Sequence, residues 1–171
     1  PWSRWAARHA RAANIDPVHA RHELRQMAIG LRMQATPLQM ALVSGAVGQG
    51  SVTVPRLLLA LDGREAAPSA AEPLGVRLDR VRAGMKGVVD SGTAASAFSG
   101  AGMARVRAGL SGKTGTAPTV TGGGRDLSTV WFTGWIEPGS LPGQTRRLAV
   151  AAFISHSEGT GGGHAAPVVA A

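Results

Sequence analysis

Near Gly92 the apolar residues of this chain change their period. Before that point the repeat is helical. In "TPLQMALVSGAVGQG", residues 36–50, Thr36 suits an N-cap and Pro37 the first helical position. Leu38, Ala41 and Leu42 recur at helical spacing, and Gly48 and Gly50 close the segment. "RLDRVRAGMKGVVDSG" repeats Leu78, Val81, Met85, Val88 and Val89 in the same way and ends at Gly92. Beyond Gly92, "MARVRAGLSGKTGTA", "LSTVWFTGWIEP" and "TRRLAVAAFISHS" read as strands. They are joined by the polar, glycine-rich "TVTGGGRD" and "GSLPGQ". Three strands with short links predict an antiparallel meander over about residues 107–117, 128–137 and 147–156. Helices followed by a run of strands make an α+β fold, an antiparallel sheet flanked by helices.

Residues 1–14 suit a helix with Trp2 and Trp5 on one face, and a second basic helix follows Asp16-Pro17. "SVTVPRLLLALDG" is β-prone, but Pro55 confines it to a short or edge strand. "REAAPSAAEPLG" reads as a loop, and "GGGHAAPVVAA" as the start of a last helix. At 171 residues the chain has room for one domain with a core.

Composition excludes some functions. With no cysteine there are no disulfides and no thiolate metal sites. No stretch approaches the roughly 20 apolar residues of a membrane span, and the N-terminus has no apolar signal core. The formal charge of +8 suits an anionic partner. Yet the arginines are scattered, aromatics are 4% and Tyr is absent, so no base-stacking platform is expected and no nucleic acid. His19, His22 and Glu23 on a basic helix lack a fourth ligand, and His156 and His164 flank a glycine-rich turn taken as solvated, so neither a metal nor a cofactor is expected. Trp131 and Trp135 share a strand face with Thr133 between them, which suits sheet packing, and Arg146 and Arg147 stand at the wet end of a strand.

The residues that carry chemistry lie in "GLSGKTGTAPTV", residues 109–120. Only two lysines occur, Lys86 and Lys113, and Lys113 sits here among glycines and hydroxyls. A phosphate-binding P-loop does not fit: Arg107 stands where its first glycine belongs, and Gly115-Thr116-Ala117-Pro118 opens no helix. A strand edge that binds a ligand does fit. Gly115 leaves room for a substrate backbone, Thr114 and Thr116 offer two hydroxyls on one face, and Lys113 brings a long-stemmed ammonium. Such an edge suits a carboxylate-bearing peptide added as a strand; a glycine-rich turn with a solvated lysine is the competing reading.

"SGKTGTA" resembles the Lys-Thr-Gly motif of the penicillin-binding proteins and serine β-lactamases. "ATPLQMALVSGAVGQGSVTVPRLL" is similar to the helix that precedes the motif strand in penicillin-binding transpeptidases, and "MKGVVDSGTA" to the helix ending just before it. "TVWFTGWIEP" resembles the next strand, and "RRLAVAAFIS" with "GGGHAAPVVAA" the last strand and the entry to the final helix. The order holds over about residues 28–171, and the glycine-rich ending resembles the class B enzymes. The resemblance implies a bacterial peptidoglycan D,D-transpeptidase that forms an acyl-serine with a stem peptide or a β-lactam, at the periplasmic or extracytoplasmic face of the inner membrane. In that scheme Lys113 lies on the charged side of the site, Thr114, Gly115 and Thr116 bind substrate, and the Thr116 N–H is an oxyanion-hole donor.

The family also uses Ser-x-x-Lys and Ser-x-Asn. Here Ala83 and Leu110 stand three residues before the two lysines, and Ala12 two before the single Asn14. Residues 1–171 therefore read as the C-terminal portion of one transpeptidase domain. Its partners are then the remainder of that domain and, through an N-terminal anchor outside this stretch, the membrane. A non-catalytic peptide-binding module of the same fold is the alternative.

Overall fold

A computed structural model describes residues 17–31, 33–56, 58–67, 70–119 and 127–171. The chain divides into two units, residues 1–35 and 36–171. The first contains helix α1, Pro17–Ala28, which starts at the proline the sequence marks. The expected helix over residues 1–14 and the Asp16 cap lie outside the described residues.

The second unit opens with helix α2, Pro37–Gln49. Thr36 and Gln39 form a reciprocal capping box: Thr36 Oγ1 accepts the Gln39 N–H at 3.2 Å and Gln39 Oε1 accepts the Thr36 N–H at 2.8 Å. Gly50, at φ 83, ends the helix in the left-handed region that only glycine enters freely. The buried face of α2 is not the Leu38 face. Leu38 is half exposed, while Ser44 and Gly48 are buried.

Between α2 and the next long helix the described residues make four two-residue strands: β1 Ser51–Val52, β2 Ala60–Leu61, β3 Arg64–Glu65 and β4 Glu72–Pro73. β1 pairs with β4, and β2 with β3. The segment expected to be a plain loop thus contributes two short strands. Asp62 and Gly63, both at positive φ, form the tight turn of the β2–β3 hairpin, as Asp-Gly does in two-residue hairpin loops.

Helix α3, Asp79–Asp90, a 3₁₀ turn, Ala95–Phe98, and helix α4, Ala104–Gly109, lead into the main sheet. Its strands are β5 Leu110–Thr119, β6 Leu127–Ile136 and β7 Leu148–Ser157, antiparallel in sequence order, as expected. A turn of π-helix, Gly161–Ala165, and a short helix α5, Ala166–Ala170, complete the chain. Helix replaces the expected strand before β5. "MARVRAG" is not strand: Ala104–Gly109 is helical, and β5 begins at Leu110. α3 holds the turn from outside, through Lys86 Nζ on the Arg107 carbonyl at 2.8 Å and the Arg107 guanidinium on the Asp90 carbonyl.

The sheet has two unlike faces. Leu110, Val130, Phe132 and Ile136 point to one side and form a core with Val89, Ala94, Phe98, Ala165 and Ala166. Phe98 and Phe132 meet there at 5.7 Å between ring centroids. Gly112 is small because Phe132 lies over it: a Cβ there would stand 2.3 Å from Phe132 Cζ. The other face carries α2. Trp135 packs on Gly48, whose added Cβ would meet the indole at 2.7 Å. Beside it Thr133 Oγ1 lies 2.9 Å from Ser44 Oγ, and Ser44 Oγ 2.9 Å from the Gly134 carbonyl. Arg147, just before β7, reaches the Gly48 carbonyl at 2.8 Å and Glu137 at 2.8 Å.

Candidate functional site

β5 is one of the two outer strands of the three-stranded sheet, and it carries Lys113, Thr114, Gly115 and Thr116. Side chains on a strand alternate. Thr114 pairs with Phe132 and Thr116 with Val130, so both threonines stand on the core side. Lys113 pairs with Thr133 and Gly115 with Trp131, so these stand on the α2 side. The lysine and the threonines therefore flank the outer edge of β5 from opposite faces.

Each side chain has a defined setting. Lys113 is exposed, and its Nζ donates to the Thr114 carbonyl at 2.5 Å. Thr114 is 9% exposed, with its Oγ1 2.7 Å from Thr93 Oγ1. Thr116 is exposed, and its Oγ1 accepts the Gly161 N–H at 3.2 Å. A Cβ on Gly115 would meet only Trp131 Cβ, at an ordinary 3.4 Å. Folding alone thus does not demand a glycine at that position. On the same face Trp131 stacks on Phe153 at 4.9 Å between centroids.

Sequence reasoning missed the second layer of this arrangement. Thr93, in the link after α3, sits against Thr114, and Gly161 closes over the strand. An added Cβ on Gly161 would lie 2.5 Å from both the Gly115 and Trp131 carbonyls, and one on Gly162 only 1.8 Å from the Thr93 carbonyl. Of the turn expected to be a solvated loop, His156, Gly163 and His164 are exposed, while Gly161 and Gly162 are buried. The run of three glycines was the available signal, since consecutive bare positions allow backbone to lie on backbone.

The groups brought together are an ammonium, hydroxyls and the outward amides of an edge strand. Groups of these types can in principle bind an anion and polarise a carbonyl along an extended ligand. Among the described residues no group of three or more His, Cys, Asp or Glu could hold a metal ion. His22 is exposed on α1, and the His19 side chain lies outside the described residues.

The family profile described as the penicillin-binding protein transpeptidase domain matches residues 13–171. No curated protein matches the chain significantly.

Proposed function

Because the chain belongs to the penicillin-binding protein transpeptidase domain family, we propose that it forms the substrate-binding strand of a peptidoglycan D,D-transpeptidase. The observation that carries this reading is the edge position of Lys113-Thr114-Gly115-Thr116 on β5. The stem peptide lies along that edge as an added strand. Lys113 supplies positive charge from one face. Thr114 and Thr116 supply hydroxyls for the terminal carboxylate from the other, and Gly115 lets the peptide backbone approach.

The Thr116 N–H is the oxyanion-hole donor in this scheme. Its direction is supported by the Lys113 contact. The Thr114 carbonyl accepts the Lys113 ammonium, and in an antiparallel strand the amides and carbonyls of residues two apart point the same way. The Thr116 N–H then points outward with the Thr114 carbonyl. One such donor contributes about 3–4 kcal/mol in the transition state.

The serine that is acylated, and the lysine that activates it, lie outside these 171 residues in this reading. So does any membrane anchor: among the described residues no helix is long and apolar enough to cross a membrane. The site works at the extracytoplasmic face of a bacterial inner membrane, on stem peptides or β-lactams, without a cofactor.

The experiment is covalent labelling of the full-length protein with fluorescent penicillin, followed by mapping of the modified residue. A single acylated serine outside residues 1–171 is expected. A protein that takes no label yet binds a D-Ala-D-Ala peptide reversibly would instead be the non-catalytic peptide-binding module.

A further inference from the structure

One pair of chemistry-bearing side chains has no part in the site as described. Ser157, the last residue of β7, is 6% exposed, and its Oγ lies 2.7 Å from His164 Nδ1. The Gly159 N–H also donates to Ser157 Oγ, at 3.1 Å. The eight-residue span from Ser157 to His164 is thereby closed on itself.

The surroundings are built to fit that closure. β7 bulges just before Ser157: the pairing jumps from Val130↔Ile154 to Ser128↔Ser157, and His156 takes a φ of 56. The imidazole of His164 lies against Gly159, where an added Cβ would meet ring atoms at 2.5 Å. Thr160 then holds the next turn from within, with its Oγ1 accepting the Gly163 N–H at 3.1 Å and its carbonyl the His164 N–H at 2.9 Å. What this loop carries is Gly161, whose N–H binds Thr116, and Gly162, pressed on the Thr93 carbonyl. Thr93 in turn touches Thr114. One closed loop therefore contacts both threonine positions of β5, directly at Thr116 and through Thr93 at Thr114.

We propose that the Ser157–His164 hydrogen bond is a latch that holds the Gly161–Gly162 turn on β5, making Ser157 and His164 positioning residues for Thr116. Neither touches the substrate. Released, the turn lifts its N–H from Thr116 Oγ1, and the threonine hydroxyl loses the contact that fixes its rotamer. The latch stands on geometry alone, whereas its effect on acylation rests on the transpeptidase reading of the site.

The test has two readouts on the full-length protein. The first is amide hydrogen exchange at Gly161, with Val130 and Phe132 of β6 as internal controls. His164→Ala should speed Gly161 exchange by roughly three- to tenfold, the weight of one net hydrogen bond, with the controls and the melting temperature unchanged. His164→Asn, whose amide can replace Nδ1, should restore protection. The second readout is penicillin acylation, resolved into binding and chemical steps: His164→Ala should slow the chemical step by a similar factor, and His164→Asn should recover it. If His164→Ala does not fold, Ser157→Ala carries both measurements. Unchanged Gly161 exchange in the folded variants would overturn the latch, and so would equal acceleration at the β6 controls. Faster Gly161 exchange with an unchanged acylation rate would overturn the positioning role. A wild-type protein that takes no penicillin removes the transpeptidase reading, while Gly161 exchange still decides the latch.

Discussion

Replacing Lys113 by alanine separates function from fold. The lysine is exposed on the α2 face of β5, and its Nζ contacts the carbonyl of its own neighbour, Thr114, at 2.5 Å. Its removal opens no cavity in the core formed by Phe98, Leu110, Val130 and Phe132. An exposed residue of this kind changes stability by no more than about 0.5 kcal/mol. Removing a cation that faces a bound carboxylate or a developing oxyanion costs more, on the order of 2–4 kcal/mol. At about 1.4 kcal/mol per decade, the acylation rate should fall roughly 30-fold to nearly 1,000-fold. The assay is the second-order rate of penicillin acylation of the full-length protein, wild type and Lys113→Ala, with thermal melts alongside. An unchanged rate at an unchanged melt would refute the reasoning and leave Lys113 as a solvated surface residue. A rate that falls only together with the melt would show that Lys113 acts on folding instead.

Three further outcomes are expected. The 171-residue chain alone should take no covalent penicillin label, because neither lysine follows a serine by three positions; a mapped acyl-serine within it would overturn the assignment of the nucleophile to another part of the protein. Ser44 and Thr133 hold α2 to β6 through hydroxyls 2.9 Å apart, so a double-mutant cycle of Ser44→Ala and Thr133→Val, read by chemical denaturation, should show coupling of about 1 kcal/mol. Strict additivity would mean that the two groups do not interact. Gly162→Ala should lower the melting temperature, because its Cβ would stand 1.8 Å from the Thr93 carbonyl. Gly163→Ala, whose Cβ would meet only Thr160 Oγ1 at 3.4 Å, should change it little.

Elements whose causes are local were legible in the residues alone. Thr36, Pro37 and Gln39 fix the start of α2, because a capping box and a pre-set proline φ act within one turn. Gly50 fixes its end through a left-handed φ. The change from helical to alternating period set the α+β class, and the glycine-rich and polar links set the antiparallel order of β5, β6 and β7. Alternation also put Thr114 and Thr116 on one face and Lys113 on the other. It left undecided which face meets the core, because both carry large apolar residues: Phe132 and Val130 on one, Trp131 and Trp135 on the other. That choice came from packing in three dimensions. The same holds for "MARVRAG", whose sequence suits a strand but which α3 holds as helix through Lys86 and Arg107. It holds for α2, which buries Ser44 and Gly48 instead of Leu38, since close approach of Trp135 requires a small residue opposite. And it holds for the glycines 161 and 162, which lie on Gly115 and Thr93, far away along the chain. Contacts of that kind depend on distance in space, and a one-dimensional pattern records only distance along the chain.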